Sequence, residues 1–600
     1  MPDLWKSAPG TPRPLLRRSA LRKLAGSFLV GALSIGLAWA GQGLVPVSSD
    51  APLDGAAGQV APGWAGRQPP DDTAGGDAPQ LDLASGQLLA GAAKVSLKPE
   101  PAKYGGTWEQ DYDKCANLAP NQEGVQEGLM HVADFRVRWA ENTDCIFMGG
   151  YGIGPMNPIV QWDDEYGLWS RSVAMSDGTK TVVLTLIDAV YWEAHYNNLC
   201  DGCGFIDLAD ELADDTGLPP ESFIFASTHS HTSPDFIGGW GGVPQWYMDQ
   251  ATESLQASAK QAVASMEPAV LEAGEVLARQ FNGERRDFYR SAEDDGLSWF
   301  RLVDADNQPS PEVCTTPSPT PTSGSNGNGN GNGYGNIGKA TPAPSPTPVC
   351  TPPNPGRAIA TVGAYAAHPV TADESTGTAD ADFPAVFAQR VEERFGGVGM
   401  FLQTGLGNMS PRGNKVEMGN GLAGLVPAIG GGTKVANPTV RVGRTFWDQP
   451  VTNVPLGSLG VAGFFDRKFN EAPATVAEGK GPENRKCRSA SPVSVRTSVS
   501  AVKVGSLWIT GGPGELFSNL TNTIEERNPG GVTLALGLVN DGLGYIVQSF
   551  ETDHVGRQGV GFAGSAGPVG LAEYEDAYSI DHCFGDAVLE HTIRLLGTLG

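Results

Sequence analysis

The stretch FIFASTHSHTSPDFIGGWGG, residues 223–242, begins as an apolar run of β-forming residues and ends in glycines and a tryptophan. The apolar run predicts a strand, and side chains two residues apart on a strand project from the same face, so His229 and His231 are expected to lie side by side. Two such imidazoles can share a metal ion, or one can bind it while the other hydrogen-bonds a water or substrate. The alternative is two polar histidines where a strand runs out into a loop.

The segments around this strand alternate between strand and helix patterns. Residues 181–187, TVVLTLI, are a continuous β-branched run typical of a buried central strand, and residues 205–216 have helical spacing. Residues 245–266 predict an amphipathic helix, and similar segments recur after residue 358. This order predicts an α/β fold, with a mixed β-sheet core flanked by helices in one loop-rich domain over residues 125–600.

Three stretches lack this patterning. Residues 41–124 are rich in Gly, Ala, Pro and Asp and predict a mostly disordered linker. Residues 315–355 contain Pro-Thr-Ser tracts around an Asn-Gly repeat, and we interpret them as a surface insertion because the α/β pattern resumes at Ala358. Residues 413–490 are glycine-rich and predict an irregular segment.

The N-terminus has the composition of an export signal. Basic residues precede an uncharged apolar run over residues 24–40, which ends in an Ala-Trp-Ala cleavage pattern. Residues 1–40 therefore predict a secreted or cell-surface protein, and Arg17-Arg18 leaves a twin-arginine route open. An uncleaved anchor is the alternative, since the uncharged stretch continues to Ser49. The net charge of −26 argues against nucleic acid as a partner.

Eight cysteines in an exported chain predict disulfides. The favoured pair is Cys314 with Cys350, because these residues bracket the predicted insertion. Cys115 with Cys145 is a second candidate. The C-x-x-C at residues 200–203 favours a local disulfide or two separate partners, because the chain has no second such pair for a zinc knuckle.

Four later segments place polar side chains at strand ends or in tight turns. They are YAAHP at residues 365–369, GLGNMSP at 405–411, TGGPGE at 510–515 and NDGLGY at 540–545. Open α/β sheets carry their sites at the carboxyl ends of strands, so His368, Ser410, Glu515 and Tyr545 are candidate site residues. Each could be structural on its own. Together with the histidine pair they offer nitrogen and oxygen ligands that suit zinc.

The order and the sequences of these segments resemble those of the neutral/alkaline (non-lysosomal) ceramidase family. Its catalytic domain carries T-H-T-H-S-G-P, H-P-T, G-D-x-S-P, P-G-E and G-Y-I-T-T motifs in this order. The matching segments here are THSHTSP from Thr228, HPVT from His368, GNMSP from Gly407, PGE from Pro513 and GYIVQ from Gly544. The resemblance covers residues 125–600. It includes no counterpart of the family's usual C-terminal β-sandwich.

The resemblance implies a zinc-dependent amidohydrolase that cleaves ceramide (N-acylsphingosine) to a fatty acid and a sphingoid base by attack of zinc-bound water. By position, the family's zinc ligands match His229, His368, Glu515 and Tyr545. His231 matches a second histidine near the bound water, where it can hand a proton to the leaving amine. Ser410 matches the active-site serine, a nucleophile or a substrate-orienting group. Attack by water is favoured over attack by the serine, because a nucleophilic serine needs a general base and no catalytic-triad spacing in the sequence identifies one.

The substrate-side motifs depart from the family pattern. Thr-Ser-Pro-Asp-Phe follows the histidines in place of Ser-Gly-Pro-Gly-Gly, Asn408 replaces an aspartate, and a substrate-contacting arginine segment aligns only loosely with residues 282–286. Two alternatives therefore stay open: zinc hydrolysis of another N-acyl or ester substrate, and an inactive surface binding protein. A lipid substrate predicts an apolar groove and peripheral membrane contact. Trp240 and Trp246 are candidate groove walls, with core packing as their alternative.

Overall fold

The computed structural model describes most of the chain after residue 85. The described residues are 86–116, 144–151, 157–197, 199–200, 202–285, 292–315, 349–351, 354–461, 465–476, 487–551, 575 and 578–600. The predicted export signal, most of the predicted linker and most of the insertion lie outside them. Among the residues that are described, no helix combines the length and the apolar character needed to cross a bilayer.

The strands are β1 (Gln87–Ser96), β2 (Ile146–Phe147), β3 (Pro158–Ile159), β4 (Gln161–Trp162), β5 (Trp169–Ser176), β6 (Thr181–Ile187), β7 (Phe223–Ser227), β8 (Glu267–Leu277), β9 (Asn282–Glu284), β10 (Gly296–Asp304), β11 (Val313–Thr315), β12 (Val349–Thr351), β13 (Ala358–Tyr365), β14 (Thr378–Ala379), β15 (Val398–Gln403), β16 (Met409–Pro411), β17 (Thr433–Lys434), β18 (Val440–Pro450), β19 (Ala474–Val476), β20 (Ser489–Ser491), β21 (Ser494–Val504), β22 (Leu507–Gly511), β23 (Glu515–Leu516), β24 (Val532–Leu536) and β25 (Tyr545–Ile546). The α-helices are α1 (Tyr112–Ala116), α2 (Phe205–Thr216), α3 (Gln245–Ala264), α4 (Asp382–Phe395), α5 (Lys415–Leu425), α6 (Val454–Val461), α7 (Ser518–Glu525) and α8 (Phe584–Thr598).

A nine-stranded sheet forms the centre of the fold, in the order β15-β13-β10-β8-β1-β5-β6-β7, with β17 paired to β8. The pairs β6–β7 and β13–β15 are parallel, whereas the other neighbours are antiparallel. Every residue of β6 is buried, as its continuous apolar run predicts for a strand covered on both faces. The prediction of an α/β fold with a mixed sheet flanked by helices is confirmed.

A second sheet, β18-β21-β22-β24, packs against the first. Apolar side chains of both sheets share one buried core, for example Leu184 and Val362 from the first sheet and Val502 and Ile509 from the second. On its other face the first sheet packs against α2 and α3 at one end and α4 and α5 at the other. Helices α7 and α8 cover the second sheet. The layers therefore run helix, sheet, sheet, helix.

The described parts of two stretches without visible patterning contain regular structure, so their interpretation is wrong for residues 86–116 and for the described part of 413–490, while residues 41–85 lie outside the described residues. Residues 41–124 contain β1, an inner strand of the main sheet, and residues 413–490 contain α5 and β18. The glycine and alanine content of β1 has a packing reason. A Cβ on Gly91 would lie 2.1 Å from the carbonyl oxygen of Ala262, so α3 can cross β1 closely only over a residue without a side chain.

Disulfides link Cys115 to Cys145 and Cys200 to Cys203, which confirms the second candidate pair and the local pairing. A third disulfide, between residues 487 and 583, joins a loop to α8 and was not predicted. Cys314 lies opposite Cys350 in the antiparallel β11–β12 pair. Their disulfide stays a prediction.

The place of β1 in the core can be tested by shortening one side chain. Leu88 is fully buried between the sheets, so Leu88→Ala should lower the free energy of unfolding by about 2–5 kcal/mol. Leu277→Ala is the matched control, because that leucine of β8 is 57% exposed and should cost less than about 0.5 kcal/mol. Equal, small effects of both variants in urea unfolding would contradict the placement.

Candidate functional site

The candidate residues meet where three parallel strand pairs end. His229 follows β7, His368 follows β13, and Glu515 follows β22 after a short turn. The parallel pairs β6–β7, β13–β15 and β22–β24 direct their carboxyl ends to this place. The two sheets are joined here by hydrogen bonds, including one from the Ser227 amide to the Leu538 carbonyl at 3.2 Å. A site at the carboxyl ends of strands is thus assembled from both sheets.

Three buried side chains converge at the centre of this site. Nε2 of His368 lies 2.9 Å, and Nε2 of His229 3.5 Å, from Oε2 of Glu515. Each of the three residues is at most 2% exposed, and their ligand atoms lie within 4.8 Å of one another. Two atoms each about 2.0–2.1 Å from a tetrahedral zinc ion are about 3.3 Å apart. The observed separations therefore suit ligands of one shared ion.

Backbone carbonyls orient both imidazoles. Nδ1 of His229 lies 3.0 Å from the Val190 carbonyl oxygen, and Nδ1 of His368 lies 3.2 Å from that of Met409. Because a carbonyl only accepts, each Nδ1 carries the proton and each Nε2 presents a lone pair to the site. The lone pair of His368 then faces a carboxylate oxygen of Glu515. A cation between them relieves this repulsion, so the donor set fits a metal.

The electrostatics favour the protonation states that bind metal ions. Burial, and after it the nearby guanidinium of Arg285, lowers the pKa of His368 to about 4. At neutral pH the His368 imidazole is therefore neutral, as metal ligation requires.

His231 lies beside this group. Its Nε2 is 3.3 Å from Nε2 of His229, while its Nδ1 is buried without a hydrogen-bond partner in the described part of the chain. Burial, followed by His229 and His368, holds the pKa of His231 well below its usual value. The imidazole lies against the ligand group and is neutral at neutral pH, so one of its ring nitrogens has a lone pair that can accept a proton.

The two histidines of the His-x-His pair come together for a different reason from the one predicted. Strand β7 ends at Ser227, and His229 has a left-handed backbone with φ of 63°, so the twofold repeat of a strand does not apply. Such a conformation costs about 1–3 kcal/mol and clusters at functional sites. Gly150 makes room for His231, because a Cβ there would lie 2.4 Å from the ring.

Tyr545 lies at the edge of the group and is tied to an arginine. Its Oη is 3.4 Å from Nε2 of His368 and accepts a hydrogen bond of 2.9 Å from Nη2 of Arg285. Strands β23 and β25 pair in parallel with Glu515 opposite Tyr545. Nε of Arg285 donates to Glu575 at 2.7 Å, and these two partners outweigh burial and raise the pKa of Arg285, which stays charged. Sequence analysis had indicated only the segment 282–286 as a loose match to the substrate-contacting arginine segment, without singling out Arg285.

Ser410 lies in β16, which pairs with β9 so that Ser410 is opposite Gly283. The serine is half-buried and directly follows Met409, whose carbonyl oxygen contacts His368. This register brings the turn with the serine and the strand that leads to Arg285 to the same side of the site.

Asn408 has a structural reason to replace the aspartate of the resembled motif. Its Oδ1 accepts hydrogen bonds of 2.9 Å from the amide and the hydroxyl of Ser518, the first residue of α7. Its Nδ2 donates to the Ala292 carbonyl oxygen at 2.9 Å. An ionised aspartate could accept the first two bonds but could not donate the third.

Trp240 and Trp246, the two candidate groove walls, differ in their packing. Trp246 is 6% exposed and packs in the helix-covered core, so its interpretation as a groove wall is wrong. Trp240 is half-buried and stacks on Tyr191 with ring centroids 6.3 Å apart. Sequence reasoning did not find Tyr191, although its place just after β6, beside the end of β7, was an available signal.

A second metal-like group is explained without a metal. Cys487, His582 and Cys583 lie close enough to share an ion, but the two cysteines form a disulfide. A disulfide sulfur is not the thiolate that zinc requires. Among the described residues, the group of His229, His368 and Glu515 is therefore the one we consider for a metal.

Comparison with known proteins supports the fold. No protein-family model and no curated protein matches the chain. Two solved structures are similar: neutral ceramidase from Pseudomonas aeruginosa (TM-score 0.49, 13% identity, covering 86% of this chain and 75% of that chain) and a ceramidase complexed with C2 (TM-score 0.50, 14% identity, 86% and 76%). At 14% identity, the similarity to the ceramidase complexed with C2 shows the fold alone. The ceramidase-like resemblance is therefore confirmed for the fold.

The metal-binding prediction can be tested at the carboxylate. Glu515→Gln should weaken zinc binding by more than about 100-fold, because losing even a residue that only supports a ligand costs about 10–100-fold. The matched control is Glu551→Gln, at a buried carboxylate that instead accepts from Asn519. Zinc dissociation constants from chelator competition measure both. Unchanged zinc affinity in the Glu515 variant would contradict the assignment.

Proposed function

We propose that this protein is a zinc-dependent amidohydrolase that cleaves an N-acyl amide bond, with ceramide as its substrate class. The observation that carries the proposal is the buried group of His229, His368 and Glu515, with both imidazoles held by backbone carbonyls. Two nitrogen ligands and one carboxylate are a common catalytic zinc set, which leaves a further position for water or substrate. The ceramidase-like fold supports the choice of an amide in a lipid.

The residues of the chain have distinct roles in this proposal. His229, His368 and Glu515 would hold the ion, with Tyr545 as a fourth ligand at the edge of the group. Water or substrate would then take a fifth position, to which catalytic zinc sites can expand. A bound zinc ion would polarise the amide carbonyl and make a water molecule nucleophilic at neutral pH. Attack by water forms a carbon–oxygen bond, and the carbon–nitrogen bond then breaks.

The proton released in this reaction needs a carrier. His231 takes the proton of the attacking water and delivers it to the leaving nitrogen, a role supported by its Nε2 lying 3.3 Å from that of His229. The charged guanidinium of Arg285, next to Tyr545, stabilises negative charge that develops on the carbonyl oxygen. Ser410 orients the substrate in this scheme. The products are a carboxylic acid and an amine.

The same proposal includes export from the cytoplasm. Three disulfides, Cys115–Cys145, Cys200–Cys203 and Cys487–Cys583, suit an oxidising compartment and agree with the signal-like N-terminus. Detection of the protein in the medium or at the cell surface tests this part, and purely cytoplasmic recovery would contradict it.

The decisive experiment is a substrate panel with a metal control. We expect fatty-acid release from N-acylsphingosines, its loss with a chelator, and its recovery with added zinc. His368→Ala should reduce kcat/KM by at least about 1,000-fold, because it removes a ligand of the proposed catalytic ion. His195→Ala is the matched control, since that histidine pairs with Asp207 outside the site.

Each other result has a defined meaning. Chelator-sensitive cleavage of simpler N-acyl amines or esters, without cleavage of N-acylsphingosines, would keep the zinc chemistry and reject ceramide. Zinc-loaded protein that cleaves no member of the panel would reject the enzyme in favour of a binding protein.

A further inference from the structure

The two oxygens of the Glu515 carboxylate have different partners. Oε2 faces the imidazoles, 2.9 Å from Nε2 of His368 and 3.5 Å from Nε2 of His229. Oε1 accepts a hydrogen bond from the hydroxyl of Tyr191, which is itself buried. The tyrosine thus occupies one oxygen and leaves the other for the ligand group.

Tyr191 and its neighbour in sequence orient two different members of that group. The Val190 carbonyl oxygen lies 3.0 Å from Nδ1 of His229, and the next residue donates its hydroxyl to Glu515. The Tyr191 ring also packs edge-on against the His229 ring, with centroids 4.9 Å apart. One dipeptide therefore fixes the direction of both an imidazole and a carboxylate.

Hydrogen bonds hold the backbone just before this dipeptide. Asp188, fully buried, accepts hydrogen bonds from Nη1 of Arg171 at 2.8 Å and from the Trp169 amide at 2.7 Å. The His229 amide donates to the Ala189 carbonyl oxygen at 2.8 Å. The loop after β6 is thus attached to β5 on one side and to the histidine segment on the other.

The loop that carries Trp240 restrains the tyrosine ring from another side. Asp235 accepts hydrogen bonds from the backbone amides of residues 237, 238, 240 and 242. These bonds shape the loop that stacks Trp240 on Tyr191, with the ring planes 18° apart. Asp235 belongs to the segment in which this chain departs from the resembled motif, so the departure has a function in shaping the site.

We infer that Tyr191 is a positioning residue of the metal centre: its hydroxyl holds Oε1 of Glu515, so that the carboxylate binds the ion through Oε2 alone. The inference rests on the proposed function, because it requires that the group binds a metal. A hydrogen bond to the outer oxygen fixes the rotamer of the carboxylate and keeps it from chelating through both oxygens. One coordination position then stays open for water or substrate.

The test compares two tyrosines that differ in one contact. Tyr191→Phe removes the hydroxyl that faces Glu515 and should raise the zinc dissociation constant about 10–100-fold. Tyr196→Phe is the matched control. Tyr196 is 8% exposed against 9% for Tyr191, and its hydroxyl accepts from the Glu193 amide at 3.2 Å instead of contacting a ligand. Its zinc affinity should stay within about threefold of wild type.

Zinc affinity is measured by chelator competition on the full chain, beside the thermal midpoint of the metal-free protein. A selective loss of zinc affinity in Tyr191→Phe, with metal-free midpoints alike in both variants, supports the inference. Wild-type zinc affinity in Tyr191→Phe overturns it and leaves the proposed function standing. If the wild-type chain binds no zinc, the proposed function itself fails.

A second variant keeps the inference testable should Tyr191→Phe not fold. Trp240→Leu keeps the tyrosine hydroxyl but removes the ring stacked on it. We expect a smaller loss of zinc affinity, about threefold to tenfold, because the hydroxyl remains and only its restraint is weakened. An unchanged zinc affinity in this variant would count against positioning by Tyr191.

Discussion

Two hydrogen bonds from imidazole Nδ1 groups to backbone carbonyls determine the chemistry of this protein's site. They fix the tautomers of His229 and His368 and direct two lone pairs at the carboxylate of Glu515. Three electron-rich atoms in a dry space repel one another unless a cation lies among them. A proton could serve, but burial disfavours a charged imidazole, and the pKa of His368 falls to about 4. A metal ion satisfies all three atoms at once.

The ligand atoms come together only because strand ends from both sheets meet at one place. Parallel strand pairs in two sheets end at one place, and the bond between the segments after β7 and β24 joins them there. The ligands come from three separate strand ends, so packing between the sheets sets their separations. The surrounding groups, Tyr191 on one side and Arg285 with Tyr545 on the other, make contacts that only this junction permits. Stability of the sheet interface and metal affinity should therefore be linked.

The residues at strand ends could be predicted from the sequence because they lie in short motifs after apolar runs. Ser410, Glu515 and the three histidines were singled out in this way, and their segments reach one region of the fold. Residues in weakly patterned segments could not be predicted from the sequence. Gly91 reads as part of a linker, yet it is required where α3 crosses β1. Tyr191 and Arg285 lie in segments that the sequence could point to, but their partners could not be predicted, because only the pairing of distant strands brings them to Glu515 and Tyr545.

The most direct test is a crystal structure of zinc-loaded protein with anomalous diffraction recorded at the zinc edge. The account predicts one strong peak about 2.0–2.2 Å from Nε2 of His229, Nε2 of His368 and Oε2 of Glu515, with the Tyr191 hydroxyl still on Oε1. A site without zinc, in which His368 and Glu515 hydrogen-bond each other directly while any zinc peak lies elsewhere, would contradict it.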